Sequence, residues 1–287
     1  MPIVLAFACA VVYGVADYCG GRATRSAPSV AISLLGQVTS LAFALVVVLA
    51  VGTPFPVWRE IGWGAMAGVA SSMALAAFYH AMSHGSMTVV APITAVTSAV
   101  LPVGFGLVRG DRPAVIAYVG MALALVAIAL VSGAVGVRHI ETQRSTIVFA
   151  IIGGIGFAWI FIALGETTSA SGIWPLVSAR VVSVTLTGAI VLVGTFVVVT
   201  HTRVRGRGTV WRLAALAGLL DLSANFLYLL AVRRGLLSIV VVVVALYPVS
   251  TVVLAFRLDR ERVSRSQAVG MAMALSALVL VSIAGAS

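Results

Sequence analysis

The sequence contains no lysine and very little charge of any kind. Charged residues make up 9% of the 287 positions and hydrophobic residues 61%, whereas a soluble domain carries about 25% charged residues. This small number of charged residues cannot cover the surface of a folded soluble protein. Most of this chain is therefore expected to lie in lipid. Without lysine there is no G-x-x-x-x-G-K-[ST] motif, which excludes ATP as the driver through that motif.

Cysteine is also scarce, and the basic residues are unevenly placed. Cys9 and Cys19 are the two cysteines, and they form neither a disulfide framework nor a zinc-binding spacing. All 18 basic residues are arginines, and the net charge is +10. The arginines cluster in short connections, which is typical of loops facing anionic headgroups and argues against nucleic acid as a partner. The sequence contains no nucleophile–base constellation of the kind that catalysis requires, so an enzyme is not expected.

Long apolar runs fill most of the chain. Each is long enough to cross about 30 Å of hydrocarbon as a helix, where every backbone group must be bonded internally. The sequence therefore predicts an all-α polytopic membrane protein with the lipid bilayer as its surroundings. The ten predicted spans are 3–20, 30–51, 61–82, 86–107, 113–135, 145–164, 173–199, 210–231, 235–256 and 265–285.

One apolar heptad occurs twice. "VGMALAL" occupies Val119–Leu125 and "VGMAMAL" occupies Val269–Leu275, 150 positions later. At that offset 19 of the 66 positions from 67 to 132 are identical, against roughly a tenth from composition alone, which indicates duplication. The second spans align only with a gap of about seven residues.

The duplication predicts two domains, 1–137 and 145–287, with five spans each. Because five is odd, the two copies must enter the membrane in opposite directions. The expected fold is therefore ten transmembrane helices arranged as two inverted five-helix repeats. Secondary transporters have this architecture and bind substrate near the midplane, between the halves.

Two matching segments, "GDRPAVIAYVG" and "DRERVSRSQAVG", combine an acid–arginine pair with a following helix that has an early glycine. With the five-plus-five plan, they resemble the EamA-type ten-helix members of the drug/metabolite transporter superfamily, over essentially the whole chain. Asp111 stands where that family usually has the glutamate that Glu261 retains. The resemblance implies transport of a small metabolite, often an amino acid or amphipathic compound, and no cofactor.

Asp221 is the deepest acid of the chain, near the middle of the eighth span. Asn225 and Tyr228 follow at i+4 and i+7 and share its helix face, and Arg180 lies within the seventh span. An ionisable group inside a span is a functional hypothesis by default. Two interpretations stay open: an Asp221–Arg180 pair that holds two helices together, or an acid that binds a proton or a substrate ammonium group.

Asp17 lies near the end of the first span, one turn after Tyr13. Arg22 and Arg25 follow closely, so Asp17 is either an interfacial ion-pair partner or a cavity residue. The resemblance keeps the cavity interpretation open, since family members often carry a small polar residue there that faces the central cavity.

Further cavity candidates are aromatic. Tyr79 and His80 resemble the aromatic pair that lines the cavity in this family, although His80 also suits an interfacial or packed position. His80 and His84 have metal-ligand spacing, but without a third ligand no metal is expected. Trp159 and Tyr247 are the remaining candidates, and helix packing is the alternative for Trp159.

Prolines and arginines bear on gating and orientation. Pro92 and Pro102 in the fourth span and Pro248 in the ninth predict bends, which would suit gating or be tolerated kinks. The resemblance implies cytoplasmic termini. That orientation, however, puts twelve arginines in outside loops and five in inside loops, which the positive-inside rule opposes. Glu166 is expected to be a solvated loop acid.

The sequence therefore predicts a secondary transporter of a small metabolite that works by alternating access, with proton coupling left open. A multidrug efflux carrier and a non-transporting membrane scaffold or receptor are the alternatives. The oligomeric state is not indicated.

Overall fold

The computed structural model describes residues 1–84, 87–132, 144–197, 207–260 and 263–284. Within these ranges the chain is helical and has no β-strand. This agrees with the long apolar runs, because a backbone in hydrocarbon must satisfy its own hydrogen bonds.

The described ranges contain eleven α-helices and one short 3-10 helix at Ser169–Ser171. The α-helices are α1 (Pro2–Thr24), α2 (Ser29–Val51), α3 (Trp58–His84), α4 (Met87–Val108), α5 (Val115–Val131), α6 (Arg144–Gly165), α7 (Trp174–Val197), α8 (Arg207–Val232), α9 (Leu237–Val244), α10 (Tyr247–Leu258) and α11 (Arg265–Ala284).

Eight segments of the described chain are long and apolar enough to cross a membrane. One of them, Leu237–Leu258, combines α9 and α10. The two remaining predicted spans, 86–107 and 113–135, coincide with shorter apolar helical stretches, Ile93–Val108 and Val115–Val131. The prediction of several membrane-spanning helices is thus confirmed, while the count of ten stays a prediction.

The ninth predicted span is broken at Ala245 and Leu246, directly before α10 begins with Tyr247 and Pro248. Pro248 has no backbone N–H and cannot continue the hydrogen-bond ladder of α9. Residues 238–244 of α9 are all buried, whereas α10 has no buried residue. α4, in contrast, is one uninterrupted helix through both Pro92 and Pro102, so the break is confined to the ninth span among the described residues.

Helices from the two halves of the chain pack on one another. α1 contacts α8, α3 contacts α6, and α5 contacts α11. The buried residues of α1 are alanine, glycine and cysteine, and small side chains of this kind let helices approach closely in lipid. The Cys9 thiol, for example, reaches across to donate a hydrogen bond to the Ala224 carbonyl of α8 at 3.1 Å.

The repeated heptads lie at the contact between α5 and α11. A side chain at Gly120 would collide with Val281, and one at Gly270 would collide with Val131. Each glycine is near the start of its helix and each valine is near the end, so α5 and α11 run antiparallel. Gly120 and Gly270 therefore lie at opposite ends of the helix pair.

A second pair of close contacts involves Gly68 and Gly218, again 150 positions apart. Gly68 of α3 meets Ala179 and Val182 of α7, and Gly218 of α8 meets Gly36 and Thr39 of α2. The α2 residues precede their α7 counterparts by 143 positions, which is the repeat offset less a seven-residue gap.

Candidate functional site

An ion pair between Arg180 of α7 and Asp221 of α8 forms the centre of the candidate site. Arg180 donates a hydrogen bond to the Asp221 carboxylate. The Arg180 side chain is 13% exposed and that of Asp221 is 36% exposed, so the acid has the more open position. Pairing is the usual arrangement for charges within a span, because an isolated ion there is costly.

Asn225 fixes the Asp221 side of this pair. Its side-chain amide donates hydrogen bonds to the Asp221 carbonyl oxygen at 2.8 Å and to the carboxylate at 3.4 Å. Asn225 lies one helical turn after Asp221, and this i, i+4 spacing brings the two side chains together. Asn225 is only 3% exposed. The predicted shared face of α8 therefore exists.

Tyr228 continues this face into the packed interior of the protein. It is fully buried, and its hydroxyl donates a hydrogen bond to the Phe161 carbonyl oxygen of α6 at 2.6 Å. The rings of Phe161 and Tyr228 are 5.0 Å apart in an edge-to-face arrangement. A buried tyrosine hydroxyl needs such a partner, so this contact joins α6 to α8.

Tyr13 and Tyr247 extend the group of aromatic rings. The Tyr13 ring lies 6.5 Å from that of Phe161 and 6.1 Å from that of Tyr247. We call Tyr13, Phe161, Tyr228 and Tyr247 the aromatic cluster. It is built from α1, α6, α8 and α10, and Tyr247 enters it at the point where the ninth span breaks.

Phe161 is the cluster member that sequence reasoning missed. It stands two residues after Trp159 in "GFAWIF", and nothing in the local sequence separates the two as cavity candidates. A full helical wheel of α6 would have helped, because Val148, Ile152, Ile155 and Trp159 form one exposed stripe. Such an aliphatic stripe is typical of a lipid-facing surface, which puts Trp159 outside the aromatic cluster.

Asp17 is exposed and makes no hydrogen bond or ion pair with the described residues. Arg22 and Arg25 both pair with Asp259 instead, so they are not the partners that the interfacial interpretation of Asp17 required. The Asp17 carboxylate is close enough to Asp221 and Tyr247 for electrostatic interaction.

Of the remaining predicted site residues, His80 is the one whose side chain the structure describes. His80 is exposed and its ring contacts that of Phe149 at 4.1 Å. The side chains of Tyr79 and His84 lie outside the described part of the structure. Among the residues that are described, no three histidine, cysteine or acidic side chains come together as metal ligands.

Polar contacts also join the segments that connect the helices. Arg109, after α4, binds Glu166, after α6, through two hydrogen bonds of 2.7 and 3.2 Å. The Glu166 side chain is only 14% exposed, so the expectation of a solvated loop acid is wrong. The acid is shielded because the arginine covers it.

Arg233, after α8, binds the connection between α6 and α7. Its guanidinium donates to Gly172, Thr167 and Ser171 at 2.8–3.0 Å. Burial lowers the pKa of Arg233, and the nearby Glu60 carboxylate opposes that effect. Glu60 itself is 2% exposed and accepts a hydrogen bond from the Thr168 backbone N–H at 2.9 Å.

Apolar helices with an ion pair inside them define a multi-pass integral membrane protein. Residues 144–283 match the model of the EamA-like transporter family. This match confirms the resemblance to the drug/metabolite transporter superfamily and supports a membrane transporter.

Comparison with solved structures agrees on the fold. One crystal structure aligns with a TM-score of 0.78 at 14% identity, over 98% of each chain. No curated protein sequence matches.

Proposed function

We propose that the protein is a secondary transporter that moves a small metabolite by alternating access. The Arg180–Asp221 pair carries this proposal, because it is a charged, partly exposed pair between two spans in a chain of the EamA-like transporter family. An acid in this position can exchange its arginine partner for a proton or for a substrate ammonium group. Amino acids and related amphipathic compounds are the substrates that the family resemblance favours.

The transport cycle that we infer depends on two inverted repeats, 1–137 and 145–287. The matched glycine contacts support this division. The contact of Gly120 with Val281 and that of Gly270 with Val131 are the same contact with the halves exchanged. The Gly68 and Gly218 contacts repeat in the same way, and equivalent contacts in exchanged halves are what a pseudo-two-fold axis produces.

The contacts between connecting segments support ten membrane crossings. Arg109, Glu166 and Arg233 follow the fourth, sixth and eighth spans, and they belong to one connected set of loop contacts. Arg22 and Asp259, which bind each other, follow the first and ninth spans. Segments that follow even-numbered spans thus contact one another, and segments that follow odd-numbered spans contact one another. This is expected if every span crosses the membrane once.

Asp221→Asn tests the role of the acid. We expect the variant to fold and to lose transport in reconstituted vesicles, because the asparagine amide carries no charge and takes up no proton near neutral pH. Asp111→Asn is the matched control: it also removes one negative charge, but it keeps an oxygen that can accept the Ser238 N–H, which Asp111 binds at 2.8 Å. Unchanged transport by Asp221→Asn would remove Asp221 from the mechanism.

Proton coupling is tested in the same vesicles by imposing a pH gradient in each direction. A coupled carrier concentrates substrate against its gradient when protons flow, and a facilitative carrier only equilibrates it.

The aromatic cluster also favours multidrug efflux as a second candidate. In a toxicity panel, resistance to many unrelated compounds would favour that function over metabolite transport.

A further inference from the structure

We propose that a cavity beside Glu60 binds the ammonium group of an ethanolamine phospholipid, at helix ends and separate from the ion pair within the spans. The cavity has a volume of about 220 Å³. Residues 54–57 and Glu60 line it from the first half of the chain, and Thr168, Ala170 and Ser171 line it from the second half. A lipid headgroup that binds there therefore lies between the two halves.

Only one oxygen of the Glu60 carboxylate has a hydrogen-bond partner among the described residues. Glu60 is 2% exposed, and its Oε2 atom accepts the Thr168 backbone N–H at 2.9 Å. The Oε1 atom accepts no hydrogen bond from the described chain and is not enclosed by it. Because Glu60 lines the cavity, this oxygen is open to a ligand. A largely buried carboxylate oxygen without a donor is costly, so a ligand that donates to it is favoured.

Arg233 is the charged side chain that faces Glu60 from the end of α8. Its guanidinium donates hydrogen bonds to three oxygen atoms of the connection between α6 and α7. It makes no hydrogen bond or ion pair with Glu60 itself. Arg233 therefore balances part of the charge of Glu60 without occupying Oε1.

Contacts between the two connecting segments fix the walls of the cavity. The Trp174 indole N–H donates a hydrogen bond to the Thr53 carbonyl oxygen at 3.2 Å. The Trp174 ring also lies 5.0 Å from that of Phe55, which is itself 5.7 Å from the Trp58 ring. A cavity whose walls are already packed in this way loses little conformational freedom when a ligand binds.

The position of the cavity favours a lipid over a soluble amine. α2 ends at Val51 and α3 begins at Trp58, so the cavity lies just beyond the ends of two apolar spans, at the level of the headgroups. Phe55, Val57 and Trp58 are exposed, and aromatic residues at span ends are typical of the membrane interface. Arg59 is exposed and makes no hydrogen bond or ion pair with the described residues, so its charge is available to a headgroup phosphate.

A primary ammonium group suits the Glu60 carboxylate better than other common headgroups do. Like a lysine side chain, it combines a positive charge with N–H donors. The trimethylammonium group of phosphatidylcholine has the charge but no N–H. The glycerol headgroup of phosphatidylglycerol has hydroxyl donors but no positive charge. Phosphatidylethanolamine is therefore the expected occupant.

Native mass spectrometry of the full-length protein in detergent micelles tests this site. Phosphatidylethanolamine, phosphatidylcholine and phosphatidylglycerol with the same acyl chains are added separately. Dissociation constants are measured for wild type, Glu60→Gln, Ala170→Leu and the control Asp111→Asn, and melting curves show which variants are folded. Glu60→Gln keeps an oxygen that can accept the Thr168 N–H but puts an amide nitrogen in place of the free oxygen. Ala170→Leu leaves Glu60 intact and narrows the cavity.

We expect wild type to bind phosphatidylethanolamine more tightly than the other two lipids. Glu60→Gln should weaken that binding about tenfold, and Ala170→Leu should weaken it as well, whereas Asp111→Asn should bind as wild type does. If Glu60→Gln does not fold, Ala170→Leu decides. Equal affinities for phosphatidylethanolamine and phosphatidylcholine, tighter binding of phosphatidylglycerol, or an unchanged affinity in either folded variant of the cavity would each overturn the proposal.

Free ethanolamine and phosphoethanolamine distinguish a lipid from a soluble amine. We expect neither compound to displace an equal concentration of phosphatidylethanolamine, because both lack the acyl chains that hold a lipid at the interface. Displacement at equal concentration would overturn the assignment to a lipid. These measurements involve no transport, so their result is independent of the proposed function.

Discussion

Arg180 on α7 and Asp221 on α8 form an ion pair between two membrane-spanning helices. The pair joins two spans of the second half of the chain, and Asn225 of α8 is hydrogen-bonded to it. A structural link and a functional acid are both consistent with this geometry, and stability and transport measurements together separate them.

Removing one partner of the pair should destabilise the protein. Arg180→Met leaves the Asp221 carboxylate uncompensated, which we expect to cost on the order of 1–3 kcal/mol, less than for a fully buried pair because Asp221 is partly exposed. The double variant Arg180→Met/Asp221→Leu should regain most of the loss without regaining transport. Thermal unfolding in detergent measures the stability. A fully stable and fully active double variant would rule out a functional role for the pair.

Tyr228→Phe should lower stability by about 1 kcal/mol. The variant keeps the ring contact with Phe161 but loses the hydroxyl that donates to its carbonyl oxygen. Tyr118→Phe is the control, because Tyr118 is 42% exposed. Equal melting temperatures for the two variants would mean that the hydrogen bond joining α6 and α8 contributes no stability.

Gly120→Ala and Gly270→Ala should destabilise the protein by similar amounts, roughly 1–3 kcal/mol each. An added methyl group would meet Val281 at 2.8 Å in the first case and Leu130 at 2.8 Å in the second. Gly188→Ala serves as control, since nothing lies within 4 Å of its added carbon. Very unequal losses at the two glycines would argue against the pseudo-symmetric contact.

The 150-residue repeat offset relates the arginine of one ion pair to the aspartate of another. Arg109 binds Glu166, while Asp259, 150 positions after Arg109, binds Arg22. We expect Arg109→Glu and Glu166→Arg each to lower transport several-fold and the double exchange to restore it. Stability should change by less than about 1 kcal/mol, because the arginine of the pair is exposed. Flux assays and melting curves give the two readouts, and a double exchange that stays inactive would exclude a pairwise role.

The C-terminus is expected to be cytoplasmic, as the family resemblance implies. A C-terminal fluorescent protein that matures only in the cytoplasm should then be bright, and a phosphatase fused at the same place should be inactive. The opposite result would agree with the distribution of arginines between the loops.

The sequence predicted the helices well because their cause is local. A run of about 20 apolar residues can satisfy its backbone in lipid only as a helix, so α1, α2, α6 and α8 coincide closely with predicted spans. The sequence predicted the break in the ninth span from Pro248. It did not predict that α4 runs uninterrupted through its prolines, because neighbouring helices decide whether a proline in a span breaks it.

The candidate site was predicted less completely. The spacing of Asp221, Asn225 and Tyr228 placed them on one face, since that depends on helix geometry alone. Phe161 was missed and Trp159 was chosen in its place, because which side of α6 faces the bundle depends on the packing of α3 and α4 against it.

By itself, the sequence determined the solvent of this protein, the helical form of its spans and the residues that share a helix face. These features follow from hydropathy and from the 3.6-residue period. Only the tertiary structure decided that Asp259 pairs with both Arg22 and Arg25, that Asp221 pairs with Arg180, and that Asp17 has no partner among the described residues. Charge pairing depends on which helix ends and faces meet, and residues 41 to 237 positions apart in the chain meet only after the helices pack.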